Sequence, residues 1–167
     1  MSKGVLKMEE MNSMSIDREV VRIDSIYQIE MLNIKDMGSY VYDFLLPNLQ
    51  MSYKHSKQYL ASMPRRNIYC IKKSLADLVE DKSFVKISTS EDIGSEYFTK
   101  YEALFMAMDS INLIYSFCVI MKSKLYDMPE HSKALTSLNN ILRLIGPVQK
   151  EIQNSMEFEH HHDHLNS

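Results

Sequence analysis

The chain has 167 residues, and its 19 Lys and Arg against 22 Asp and Glu give a formal net charge of −3 at pH 7. With 45% hydrophobic and 25% charged residues, it has the composition of a globular protein of about one domain, which excludes a wholly disordered chain. The mild acidity argues against a dedicated nucleic-acid binder, and two cysteines exclude a disulfide scaffold or a four-cysteine zinc site.

The N-terminal segment does not have the apolar core of a signal peptide, because Val5 and Leu6 are followed directly by Lys7. We interpret residues 1–14 as a flexible leader and expect a cytoplasmic protein. In that compartment Cys70 and Cys118 are expected to stay reduced. Each lies in an apolar run, so we also expect both thiols to pack in the core.

Apolar residues recur at helical spacing through most of the chain, which predicts an all-α protein with one compact helical-bundle domain over residues 15–158. The predicted helical segments cover residues 15–32, 36–63, 65–81, 95–126 and 129–158. Prolines predict an interruption at Pro47, a boundary at Pro64 and a kink at Pro147. Residues 82–94 are the least helical segment and are predicted to form a loop.

The 95–126 helix is apolar on nearly all sides between Leu104 and Met121, so we expect it to be the central, buried element. Its length and apolarity also fit a membrane span. Asp109 and Asn112 argue against that interpretation, because an aspartate at mid-span costs roughly 2.5–3.5 kcal/mol.

The polar tail, residues 159–167, contains the only concentrated set of metal-ligand side chains. On a continued helix His160 and His164 are one turn apart, whereas in an extended tail His160, His162 and His164 share one side. Imidazole suits zinc and nickel, so these three residues are the candidate metal ligands; an inert tail and an expression remnant stay open as alternatives. No other cofactor is expected. His55 and His131 stand alone and are predicted to be surface histidines.

Two groups of residues are candidates for partner binding. The first is a basic cluster on the 65–81 helix, and the second is a run of methionines in the leader. Their members are Arg65, Arg66, Tyr69, Lys72 and Lys73 in the cluster, and Met8, Met11 and Met14 in the leader. Arginine and tyrosine suit an acidic protein surface, and methionine adapts to varied partners.

The standard linear signatures of catalysis are missing: the sequence has no G-x-S-x-G turn and no G-x-x-x-x-G-K-[ST] phosphate loop. Our leading hypothesis is therefore a non-catalytic protein-interaction or regulatory module, such as an adaptor, inhibitor or chaperone-like subunit. A metal-binding helical protein is the alternative, and a helical enzyme with no recognisable linear motif is a further one. The expected partner is another protein, and a homo-oligomer is left open.

Overall fold

The computed structural model describes residues 25–79 and 98–165, with side chains described as far as Glu157. The chain divides into two units, Met1–Leu32 and Asn33–Ser167. In the first unit, residues 25–30 are helical and end in a turn at Met31. The leader, the start of the first predicted helix and the predicted 82–94 loop lie outside the described residues. The predicted domain boundaries at residues 14 and 158 stay predictions.

The described part of the second unit is an all-α bundle, which confirms the predicted fold class. Helix α1 continues from Met37 to Ser56 in three parts, and three further helices follow. Their bounds are Met37–Tyr40, Val41–Leu45 and Leu46–Ser56 for α1, Ser62–Ala76 for α2, Lys100–Leu125 for α3 and Ser132–Leu165 for α4. Helix α3 packs against α4 and α1, and α2 packs against α4.

Pro47 does interrupt the regular hydrogen bonding of α1, as predicted, but the helix continues through it. Val41–Leu45 forms a π-helical segment, and Pro47 then lies in the first turn of Leu46–Ser56. A proline has no N–H and crowds the carbonyl four residues earlier, here Asp43. The wider π turn is a known way to accommodate such a break. The predicted continuation to residue 63 is wrong, because α1 ends at Ser56 and a 3₁₀ turn follows.

Helix α2 begins three residues earlier than predicted and also ends earlier. Pro64 lies inside its first turn instead of marking its boundary. The first four N–H groups of a helix have no intrahelical acceptor, so a proline there costs no hydrogen bond. Ile68, Ile71 and Leu75 form an apolar stripe that is buried along the helix.

Helix α3 is central in the bundle, as predicted, but begins at Lys100 because Phe98 and Thr99 are not helical. The Thr99 hydroxyl accepts a hydrogen bond from the backbone N–H of Glu102 at 3.1 Å, which is an N-cap. The helix shows no break at Asp109. Nine residues of α3 are buried, whereas Tyr115 and Val119 are exposed, so burial does not extend around the whole circumference.

Helix α4 runs through Pro147 without ending. The proline leaves the carbonyl of Arg143 without its usual donor, and both residues are exposed, so water can hydrate that carbonyl. Five apolar residues form the buried seam of α4. Its members are Leu138, Ile141, Ile145, Val148 and Ile152, while Leu135 and Leu142 are only half-buried.

Candidate functional site

The basic face predicted on α2 lies on the solvent side of the helix. Arg65, Arg66, Tyr69 and Lys73 are exposed and Lys72 is half-buried. Their position follows from the helical repeat, because the buried stripe occupies the opposite side of the same helix. Tyr69 keeps 59% of its surface exposed, which is a large apolar ring to leave in water.

A cation–π contact organises the middle of this face. The Nζ atom of Lys73 lies 5.4 Å from the centroid of the Tyr69 ring, within the range in which the ring quadrupole attracts a cation. At an exposed position such a contact is worth about 0.5–1 kcal/mol, enough to bias the ring orientation. The result is a defined aromatic surface beside three further cations.

The two cysteines differ in environment, and only one of the two expectations is right. Cys118 is buried in α3, and burial raises the pKa of its thiol to about 12. Cys70 is exposed on α2, so the predicted core position of this residue is wrong. Ile68 and Ile71 take the buried positions of that apolar run, and Cys70 falls between them on the solvent side.

His55 is not the surface histidine that the sequence predicts, since only 5% of it is exposed. Its ring packs against Phe98, with 4.9 Å between the ring centroids at a tilt of 56°. The neighbouring Ser56 is fully buried, and neither Ser56 Oγ nor His55 Nδ1 has a hydrogen-bond partner. Ser52, one turn earlier, instead donates to the Leu49 carbonyl at 3.1 Å. Polar side chains at these positions lower the stability of the core.

The described residues also enclose a cavity of about 960 Å³. It is lined by the start of α1, the end of α2 and the turn that leads into α4. The charged side chains and the histidine of the lining are Lys35, Asp43, Asp77, Glu130, His131 and Lys133. His131, predicted to be a surface histidine, is half-buried here at the end of a 3₁₀ turn. The mixed charges do not select one class of ligand.

No metal site is found among the side chains that the structure describes: no three His, Cys, Asp or Glu residues come together in a suitable arrangement. The predicted ligands at positions 160, 162 and 164 belong to the part of α4 whose side chains are not described. The backbone there is helical to Leu165. In a helix, positions 160 and 164 share a face, whereas position 162 is about 200° away from position 160.

The second group of predicted contact residues, Met8, Met11 and Met14, lies outside the described residues. A different exposed apolar feature was missed at the sequence level. Along α3, Phe105 and Met108 are half-buried and Tyr115, Val119 and Tyr126 are exposed. The intervals between these residues are three, seven, four and seven, and Tyr126 lies just beyond the end of α3. Such intervals keep the residues on one side of the helix, in a second phase of the repeat that the buried residues follow.

On length and composition, one helix within the described ranges, Lys100–Leu125, is long and apolar enough to cross a membrane, with a mean hydropathy of 1.7 over its most apolar 18 residues. The core helix of a bundle passes the same test. In the structure, the side of α3 that carries Ile111 and Phe117 is buried in the bundle.

Comparison of the chain with protein-family models, with curated proteins and with solved structures gives no match in any of the three. The site therefore has to be interpreted from its own geometry.

Proposed function

We propose that the chain is a non-catalytic protein-interaction module that binds an acidic surface of another protein through the basic face of α2. The observation that carries the proposal is the exposed Tyr69 ring, oriented by Lys73 and flanked by Arg65 and Arg66. An exposed aromatic ring among cations is the composition of a partner surface, since tyrosine and arginine are enriched where interfaces are energetically strongest.

The chemistry of this face favours carboxylates. A guanidinium group can hold a carboxylate through two parallel hydrogen bonds, and the Tyr69 ring supplies apolar area that a partner removes from water. Truncating a tyrosine of this kind typically costs about 1–2 kcal/mol of binding, a fall in affinity of about 5–30-fold. Binding through Arg66 and Lys73 also becomes weaker as salt screens the charges.

The first experiment replaces Tyr69 with a photo-crosslinking phenylalanine analogue and identifies the protein that it captures in native extract. The affinity of that purified partner is then measured for Y69A and R66E. We expect each variant to lose at least about fivefold in affinity while the Tm stays within a few degrees of the wild type.

Tyr126 provides the matched control, because it is 75% exposed and lies just after the end of α3, away from the α2 sequence. The Y126A variant is expected to bind as the wild type does. Equal binding by Y69A and wild type, or an equal loss in Y126A, would contradict the α2 assignment.

The second candidate function, metal binding by the tail, has one observation in its favour. The helical backbone of α4 through Leu165 brings positions 160 and 164 onto one face, and a pair of histidines at that spacing can chelate zinc or nickel. Titration calorimetry with Zn²⁺ on the full chain tests it. H160A and H164A are expected to abolish binding, and H161A is the control. A loss in H162A equal to that in H160A would contradict the helical pair and favour the extended arrangement.

A further inference from the structure

Helices α3 and α4 present a second apolar surface beside their buried seams. Most of its members follow a buried residue by one position. On α3, Phe105 follows Leu104 and Val119 follows Cys118; on α4, Leu142 follows Ile141. One residue is a rotation of about 100°. The outer surface therefore repeats the spacing of three and four found in the buried seam.

The two outer stripes lie on the same side of the helix pair. Two grooves of about 420 and 440 Å³ are lined by side chains from both helices. The first groove combines Phe105 with Met156, and the second combines Val119 with Leu142. From the first groove to the second, the residue numbers rise along α3 and fall along α4, so the two helices are antiparallel. In an antiparallel pair whose buried seams face each other, the residues one position after each seam lie on the same side of the pair. We call this surface the outer face.

A polar pair lies at the middle of the outer face. Gln149 Nε2 donates to Asn112 Oδ1 at 2.9 Å. This bond uses neither the amide hydrogens of Asn112 nor the amide oxygen of Gln149. A second copy of the same pair can bind to these groups, because its own Asn112 N–H group can donate to the Gln149 oxygen and its own Gln149 oxygen can accept from Asn112. A two-fold axis through this level lets each Asn112 donate to Gln149 of the other copy.

The charges at the two ends of the outer face favour the same arrangement. Lys122 lines the groove at one end, and Glu157 follows Met156 at the other end and is exposed. A two-fold axis that crosses the helices exchanges these ends, so Lys122 of one copy approaches Glu157 of the other. The face is about 35 Å long and about 20 Å wide from helix dimensions, or roughly 700 Å² per copy. A standard interface uses about 800 Å² per partner.

We propose that the outer face of α3 and α4 is the interface of a two-fold homodimer, in which the two antiparallel pairs form a four-helix layer centred on Asn112 and Gln149. Near this centre, Tyr115 of each copy packs against the α3 stripe of the other. This inference does not depend on the basic face of α2, which lies on a different helix.

Gly146 offers a test that leaves the single chain intact. A Cβ at this exposed position has no neighbour within 4 Å, and it lies one helical turn from Gln149. The G146R variant therefore has room for its side chain in the monomer, and replacing glycine favours the helix. In the dimer the same side chain lies between the two copies.

The experiment measures the mass of the full chain by sedimentation equilibrium up to about 100 µM, where contacts of micromolar affinity are populated. We expect twice the 19.5 kDa chain mass, and a dissociation constant at least tenfold higher for G146R and for Y115K. The Y69K variant on α2 is the control and is expected to dimerise as the wild type does. Circular dichroism and the Tm of the monomeric fraction establish that each variant is folded.

Three outcomes would overturn the proposal. A wild-type chain that is monomeric at about 100 µM, where a micromolar dimer would form, means that the outer face does not bind a second copy. A dimer that folded G146R and Y115K leave unchanged uses another surface. An equal loss in Y69K shows that the variants act through charge in general and not through the outer face.

Discussion

Replacing Phe117 by alanine removes the largest fully buried side chain of α3. Its ring is 0% exposed and stacks on Tyr40 of α1, with 5.6 Å between centroids and 17° between planes. Phe-to-Ala changes in a packed core lower the free energy of unfolding by about 3–5 kcal/mol. A stacked aromatic pair adds about 0.5–1.5 kcal/mol of stability beyond the burial of its apolar area. We expect F117A to lower the free energy of unfolding by about 4 kcal/mol.

A loss of that size is large for a domain whose total stability is about 5–15 kcal/mol. In a domain of this length it corresponds to a fall in Tm of about 8–16 °C. Urea unfolding followed by circular dichroism measures it at one fixed protein concentration. F117L keeps most of the apolar volume and is expected to lose less than about 1.5 kcal/mol. The exposed Y69A is expected to lose less than about 1 kcal/mol.

The packing of α3 against α1 would be refuted by a loss below about 1 kcal/mol in F117A, or by a loss no larger than in Y69A, because neither result fits a fully buried ring.

Three further predictions concern the thiols and the buried serines. In the native protein a thiol reagent is expected to modify Cys70, which is exposed, and to leave the buried Cys118 unmodified until urea unfolds the chain; modification of both thiols at equal rates would contradict the burial of Cys118. Burial raises the pKa of the Cys118 thiol from 9.0 to about 12, so between these two values the thiol ionises only in the unfolded chain. The buried neutral thiol therefore contributes its full stabilisation below pH 9, and this stabilisation is lost as the pH rises to 12. Between pH 8 and 10.5 we expect about 2 kcal/mol of loss that C118A does not show, and parallel curves for the two proteins would refute the linkage. S56A is expected to leave stability unchanged or raise it by up to about 1 kcal/mol, because the Ser56 hydroxyl is buried without a partner. S52A, four residues earlier, loses the bond to the Leu49 carbonyl and is expected to cost about 0.5–1.5 kcal/mol; the opposite order in urea unfolding would contradict these assignments.

The positions of most helices follow from apolar periodicity, but several boundaries do not. The start of α3 could have been predicted from a local sequence pattern. Thr99 and Glu102 match the Ser/Thr-x-x-Glu pattern of a capping box, and the Thr99 hydroxyl does cap the helix. Pro64 was misinterpreted because a proline breaks a helix interior but is tolerated in the first turn.

The basic face of α2 could be found from sequence because its residues and the buried stripe repeat with the same period on opposite sides. His55 and Cys70 could not be placed in this way. His55 stands between Lys54 and Ser56 in a polar stretch, yet Phe98, more than forty residues away in the chain, covers its ring. Cys70 stands among apolar residues but occupies the exposed position between two buried isoleucines.

The sequence by itself determined that the described part of the chain is helical, that Pro47 perturbs its helix, and that α2 has one charged and one apolar side. Only the tertiary structure decided which of two apolar stripes on α3 and α4 enters the core. Both stripes have the same spacing of three and four residues, so helical periodicity does not distinguish them. The packing of α1 against α3 and of α2 against α4 buries the stripe that contains Ile111 and Ile145. The stripe one residue further along each helix, with Tyr115 and Leu142, is left at the surface.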